Sequence, residues 1–262
     1  YDILAERIES ELISSRPKLI IRNASYVRAF DTNIPTIAIL QDVLWGQLRK
    51  MQLELCLRPN VYTVFNSSYT KAQYPEITNC SVIPIGVDEH LFNARDYKIF
   101  SSVPYIVFIG STNVIKGWDL LQQIIQTYPH AKYQIVLKDD IPPTRLPGVE
   151  YFSRLTHSRL LAVTSRSHIC LVTSKVETQH LASMECAFVN IPIVTLPVGV
   201  WYNGCGTAGT LVGAYESNAF AEAIDLTWRH RKEFTPREYM LSNGYSLNTM
   251  RERWKMLIKD II

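Results

Sequence analysis

Two short apolar runs, residues 168–172 (HICLV) and 191–196 (IPIVTL), flank a stretch with helical spacing, and this arrangement constrains the chain more than any other feature. The first run is too short for a helix and suits a buried parallel strand. Thr173, Ser174 and Lys175 then read as a loop, with Glu177 close behind. From about Gln179 the spacing predicts a helix, because Leu181, Met184, Ala187 and Phe188 fall at i, i+3, i+6 and i+7 on one face. Asn190 tolerates the left-handed conformation that ends a helix, and Pro192 stops the helix just beyond. The second run returns as a strand. A strand, a tight loop and a helix start gather unpaired backbone N–H groups and a positive dipole end in one crevice, which is a site for an anion.

Two carboxylates punctuate this stretch. Glu177 stands in the loop at the mouth of the crevice, and Glu185 follows two turns into the expected helix, polar and near solvent. Two glutamates at one spacing are by themselves ordinary and usually solvated. A carboxylate beside an anion site is less ordinary, since it adds negative charge unless neutral hydroxyls donate to it. A ligand that carries both phosphates and hydroxyls, such as a nucleotide sugar, satisfies both facts.

The same alternation runs through the rest of the chain. Strands are expected at residues 19–21, 36–40, 61–65 and 81–84, with helices over 43–57 and from Ser68 to Tyr74, the latter capped by the polar run Asn66, Ser67 and Ser68. A second series begins with a strand at 105–109, a loop through Gly110 and Lys116, and a helix over 118–128. Strands alternating with helices argue for parallel sheets. Residues 204–209 spell G-x-G-x-x-G, but no strand leads directly into them and no helix opens within them, so they read as a loop and turn. Residues 1–14 have helical spacing, and so does the final segment, whose stripe is Leu247, Met250, Trp254, Leu257, Ile258 and Ile261.

With 262 residues the chain can bury a large core or two modest ones. A net charge of +3 is too mild to argue for nucleic acid. The five cysteines, Cys56, Cys80, Cys170, Cys186 and Cys205, show no C-x-x-C spacing, which suits reduced thiols in an intracellular compartment. No D-x-D triplet marks a metal-bound nucleotide, so no metal and no cofactor beyond a nucleotide-sugar co-substrate is expected. A cytoplasmic location follows, with peripheral attachment to a membrane left open.

Residues 174–194 (SKVETQHLASMECAFVNIPIV) resemble the donor-site signature of group 1, or family 4, nucleotide-sugar glycosyltransferases, approximately P-S-x-x-E-G-F-G-L-x-x-L-E-A-M-A-C-G-x-P-V-V. Ser174, Glu177, Leu181, Glu185, Pro192 and Val194 fall on matching positions without a gap. Upstream, Val149, Leu160, Ala162 and His168 continue the match, and residues 82–92 (VIPIGVDEHLF) resemble the V-I-P-N-G-V-D-x-x-x-F that closes the family's first domain. Residues 108–121 are similar to F-x-G-R-x-x-x-x-K-G-x-x-x-L, with Lys116 on the Lys and Ser111 on the Arg. Thr178, Gln179 and His180 replace the glycine-rich triplet, and Asn190 replaces a Gly.

The resemblance covers about the last two-thirds of the chain. It implies a GT-B-like α/β fold of two Rossmann-like parallel-sheet domains, the first apparently truncated. Residues 1–95 would form a partial acceptor-side domain and 96–245 the donor domain, with a C-terminal helix at 246–262 packing back on the first. It implies a retaining glycosyltransferase moving a sugar from a nucleotide-diphosphate sugar to an acceptor that is a sugar, a lipid or a protein. Glu177 would serve catalysis at the transferred sugar. Gly110, Ser111, Lys116, Thr178, Gln179, His180, Leu181 and Glu185 would bind the donor, with Lys116 on the diphosphate and Glu185 on the ribose diol.

Two other readings stand beside it. The missing Gly triplet and Arg suit a degenerate, non-catalytic module that binds nucleotide sugars or acts as a scaffold. A sugar-nucleotide epimerase would need further acidic residues and a His in the crevice, which the sequence does not mark. The edge from Leu19 to Ile21 is expected to be uncovered, so the chain is expected to be either a fragment of a longer enzyme or a short form that pairs this edge with another copy.

Overall fold

The computed structural model describes residues 11, 12, 14, 15, 17–24, 33–93 and 101–262. Most of the expected N-terminal helix, and residues 94–100 of the expected linker, lie outside the described residues. The chain divides into two compact units, Tyr1–Pro84 with Met250–Ile262, and Ile85–Thr249. The division falls earlier than the boundary expected after residue 95, because the segment after Pro84 is anchored in the second unit. Val87 N–H donates to Tyr245 O at 3.0 Å, and the Arg237 guanidinium donates to the carbonyls of Glu89 and Phe92.

The first unit holds a four-stranded sheet, β1 (Ile20–Asn23), β2 (Thr36–Leu40), β3 (Val61–Phe65) and β4 (Cys80–Val82), with neighbours in chain order and every pairing parallel. Parallel strands need crossovers, here α1 (Gly46–Cys56) and α2 (Ser68–Ala72). Helix α1 starts at Gly46, not at residue 43, and its first turn leaves Leu48 half exposed. Helix α2 starts where Ser67 Oγ accepts from Thr70 N–H at 3.1 Å. On the other face of the sheet, Met250, Trp254, Leu257, Ile258 and Ile261 pack against Ile37, Val64 and Ile83. Within β1, Ile21 is 48% exposed.

The second unit is a six-stranded parallel sheet in the order β10-β9-β8-β5-β6-β7. Its strands are β5 (Tyr105–Gly110), β6 (Lys132–Leu137), β7 (Val149–Ser153), β8 (Ile169–Val172), β9 (Ile193–Thr195) and β10 (Gly209–Leu211). From β5 the chain winds outward through β6 to β7, then returns to place β8 on the other side of β5. This is the doubly wound order, and its topological switch point lies between the carboxyl ends of β5 and β8.

Helices cover both faces: α3 (Trp118–Thr127), α4 (His157–Thr164), α5 (Leu181–Phe188) and α6 (Ser217–Arg229). They are followed in the chain by α7 (Pro236–Ser242) and by α8 (Leu247–Ile261), most of which belongs to the first unit. Helix α3 buries Leu120, Leu121, Ile124 and Ile125, one stripe at i, i+1, i+4 and i+5. All four residues of β8 are buried, as a strand covered on both faces requires. Residues 204–209 form a short 3-10 turn entering β10, as the loop reading expected, and a Cβ at Gly209 would stand 1.9 Å from Ile193 O. The cysteines are all free thiols. Among the described residues, no helix is long and apolar enough to cross a membrane.

Candidate functional site

The loops leaving β5 and β8 are stitched together at the switch point. Residues Val114–Lys116 form a 3-10 turn whose carbonyls face the β8 loop. Lys175 N–H donates to Ile115 O at 2.9 Å, and Thr173 Oγ1 donates to Lys116 O at 2.9 Å. Gly117 makes this approach possible. It sits at φ 70°, and a Cβ there would stand 2.0 Å from Thr173 O.

Between these loops Lys116 Nζ donates to Glu177 Oε1 at 2.6 Å. The Glu177 side chain is only 8% exposed, whereas Lys116 is 38% exposed and stands on the solvent side. Burial pushes the Glu177 carboxyl upward, but the charge of protonated His180, the Lys116 ammonium and a hydrogen bond with the Ser174 side chain outweigh it and hold it below its usual value. His180 contributes charge only while protonated.

His180 is the N-cap of α5 and takes the left-handed conformation, φ 66° and ψ 67°, at the position where the resembled pattern has Gly. Its Nδ1 accepts from Ser183 N–H at 3.2 Å, which leaves the proton of the neutral ring on Nε2. That nitrogen lies 3.8 Å from Glu177 Oε1. Burial depresses the imidazole pKa, and the ring is neutral at neutral pH. His180, which the resemblance places among the donor-binding residues, thus stands beside Glu177.

The other expected site residues divide clearly. Gln179 is buried, and its side chain is committed to the protein: Oε1 accepts from Ile85 N–H at 3.0 Å and Nε2 donates to Ile85 O at 2.7 Å. Only its backbone can serve a ligand, and its carbonyl already accepts from Val200 N–H at 3.3 Å. The helix begins at Leu181 rather than Gln179. Leu181 is 40% exposed, not part of the buried face that Met184, Ala187 and Phe188 make. It is the first helical residue, where the chain still faces out of the core. Asn190 ends the helix region at φ 63°, as expected. Thr178 and Ser111 are half-buried at the crevice, and Gly110 closes β5, its carbonyl accepting from Lys138 N–H at 2.9 Å.

Glu185 differs from expectation in burial. It is half-buried rather than near solvent, and burial raises its pKa, with His157 at the start of α4 partly opposing the rise. Among the described residues no hydrogen bond or ion pair to its carboxylate is formed. A half-buried carboxylate with no protein donor among the described residues takes its hydrogen bonds from water or from another donor that reaches it. Among the described residues no group of three His, Cys, Asp or Glu side chains is placed to hold a metal ion.

Sequence reasoning missed the residues that lock the helix start. Trp201 is fully buried, and its Nε1–H donates to Ser183 Oγ at 2.8 Å, while Ser183 Oγ donates to His180 O at 3.0 Å. Gly199, at φ 56°, lets this segment approach; a Cβ there would stand 2.7 Å from Gln179 O. No local signal in residues 197–203 announces these contacts, because they depend on where the chain returns after β9.

No family model matches the sequence, and no curated protein matches it. Solved structures do. A sucrose-phosphate synthase from Thermosynechococcus elongatus is similar over 98% of this chain and 77% of its own, with a TM-score of 0.83 and 16% identity. A glycosyltransferase from Rickettsia africae is similar over 98% and 80%, at TM-score 0.79 and 15% identity. HepE of Anabaena, crystallised with UDP and glucose, is similar over 97% and 81%, at TM-score 0.74 and 13% identity. At these identities the likeness establishes architecture: the chain has the GT-B fold of glycosyltransferases, with two parallel, Rossmann-like sheets.

Proposed function

We propose that this chain is a retaining nucleotide-sugar glycosyltransferase of the family 4 type. The observation that carries the proposal is the convergence of Lys116 and Glu177 at the switch point of the doubly wound sheet. One cation faces solvent there for a diphosphate, and one buried carboxylate lies behind it. The start of α5 adds backbone N–H groups and the positive end of its dipole. Half-buried Glu185 is the acceptor for the ribose hydroxyls. Anabaena HepE, of the same fold, has been crystallised with UDP and with UDP-glucose, which supports a nucleotide sugar as the donor here.

In this mechanism Glu177 faces the transferred sugar, where its negative charge stabilises the positive charge that develops at the anomeric carbon. Lys116 and the helix start stabilise the departing diphosphate. Transfer with retention follows on the front face, the leaving phosphate taking the acceptor's proton, so no protein base is assigned. Lys116 and the α5 dipole carry the compensating charge.

The test is a panel of UDP-, GDP- and ADP-sugars, followed by calorimetry for binding and by sugar release for turnover. Binding with slow hydrolysis that sugar or lipid acceptors accelerate is expected. Binding with no turnover under any acceptor would favour a non-catalytic module. Release of an epimerised sugar would favour an epimerase, the reading that His180 beside Glu177 keeps in play. No binding at all would remove the donor site.

A further inference from the structure

The Lys116–Glu177 pair raises a difficulty for any ligand that needs the lysine. Ser111 is uncharged, so among the side chains that the two loops place at the pair, Lys116 is the cation available to a diphosphate. In the free protein its ammonium is already bonded to Glu177. If Lys116 turns toward a diphosphate, Glu177 stays behind, 8% exposed, with the Ser174 hydroxyl as its remaining partner. Uncovering a buried carboxylate in this way is strongly unfavourable unless another donor takes over.

One donor is already close. His180 Nδ1 is held by Ser183 N–H, so Nε2 carries the proton, and that nitrogen lies 3.8 Å from Glu177 Oε1. Closing to a hydrogen bond requires a shift of roughly 1 Å, within the reach of a small rotation of the glutamate. The ring is also built to remain neutral. It is buried, it caps the positive end of a helix, and protonating Nδ1 would break that cap. Glu177 and Lys116 are the charged groups that act on it among the described residues. The left-handed backbone at His180 is a strain that glycine would avoid, which makes the imidazole itself the useful part of this residue.

We propose that His180 is a positioning residue that takes over Glu177 through its Nε2–H when Lys116 turns to the diphosphate of a bound nucleotide sugar. The proposal rests on the donor reading above for the event that moves Lys116, but the exchange can be tested without any donor. The neutral imidazole keeps Glu177 ionised and aimed during transfer, and Lys116 is free to act on the leaving group.

Two measurements decide it. In the free protein, NMR titration of the Glu177 carboxyl is compared among wild type, Lys116→Met, His180→Asn, and the double variant. Asn tolerates the left-handed backbone and can still accept from Ser183 N–H, so His180→Asn separates the Nε2–H from the cap. Glu177 should rise modestly in each single variant and by about one unit more than their sum in the double variant, with the Nε2–H proton of Lys116→Met shifted downfield. Additive shifts, or an unmoved Nε2–H, would overturn the exchange. In the second measurement, with whichever nucleotide sugar of the panel binds, His180→Asn should keep the donor Kd within about threefold and lower the rate of sugar release by about tenfold. Equal loss in both, or no loss in either, would overturn the positioning role. If no nucleotide sugar binds, the donor reading falls and the first measurement alone judges the exchange.

Discussion

Lys116 and Glu177 are 61 residues apart in the chain and 2.6 Å apart in the structure, each on the loop that follows one of two adjacent parallel strands. The pair exists because β8 returns to the side of β5 after the chain has wound outward through β6 and β7. It joins a solvent-side cation to a buried anion, so each partner responds differently to substitution.

Replacing Glu177 by Gln should leave donor affinity within a few-fold and reduce transfer by about a hundredfold, the size of losing one electrostatic stabiliser. Steady-state kinetics with the donor identified in the panel checks this. Retained turnover would remove Glu177 from catalysis.

Lys116→Ala should weaken nucleoside diphosphate by roughly tenfold to a hundredfold and nucleoside alone by less than about threefold, because the proposed partner is phosphate. It should also lower the Tm, since Glu177 loses its ion pair; the half-exposed lysine keeps that loss to roughly 1–3 kcal/mol. Equal losses for both ligands in calorimetry would leave Lys116 with a structural role only.

Glu185 should show stability and binding moving in opposite directions. Its pKa is raised by burial, so the folded state holds a proton more tightly than the unfolded chain, whose value is near 4.5. Stability is therefore lost as pH rises from that value through the folded one, and the ionised carboxylate carries a penalty at neutral pH. Glu185→Gln should raise the Tm at pH 7 while Glu185→Ala weakens nucleotide binding by roughly 1–3 kcal/mol. Unchanged nucleotide affinity in Glu185→Ala would take the residue out of the site.

Acid should destabilise the second unit in two steps. His180 has a folded pKa below its ordinary 6.5, so below pH 6.5 the unfolded chain binds the proton first and stability falls as pH drops toward the folded value. Glu177 has a folded pKa below 4.5, so its contribution is present above pH 4.5 and is lost as pH falls through the folded value. Thermal melts between pH 8 and pH 2 should show both, with His180→Asn removing the upper step and Glu177→Gln the lower. An upper step that persists in His180→Asn would assign it to another group.

Gly117→Ala should be severe. The new Cβ would meet Thr173 O at 2.0 Å, at a backbone φ of 70° that alanine disfavours. A loss of more than about 3 kcal/mol is expected from denaturant unfolding. A loss under 1 kcal/mol would mean that the two loops separate easily, and that the Lys116–Glu177 pair does not depend on their stitching.

Much of the fold was legible locally. The apolar runs at β2, β3 and β8, the amphipathic stripe of α8 and the left-handed stop at Asn190 follow from period and residue type alone, because burial on two faces or one stripe leaves a pattern that neighbours in sequence reveal. The candidate residues Lys116, Glu177 and Glu185 were also found in the sequence, through their spacing in a recognisable pattern. Tertiary structure alone decided their relationships. Sequence could not say that Gln179 turns to Ile85, that Leu181 faces outward, that Glu185 is half-buried, or that His180 Nε2 lies 3.8 Å from Glu177 Oε1. Each depends on where a distant segment returns: Ile85 after β4, Trp201 after β9, Lys116 after β5. Periodicity reports which face of an element is buried, but contacts across strands brought together by winding are set by topology, and topology belongs to the whole chain.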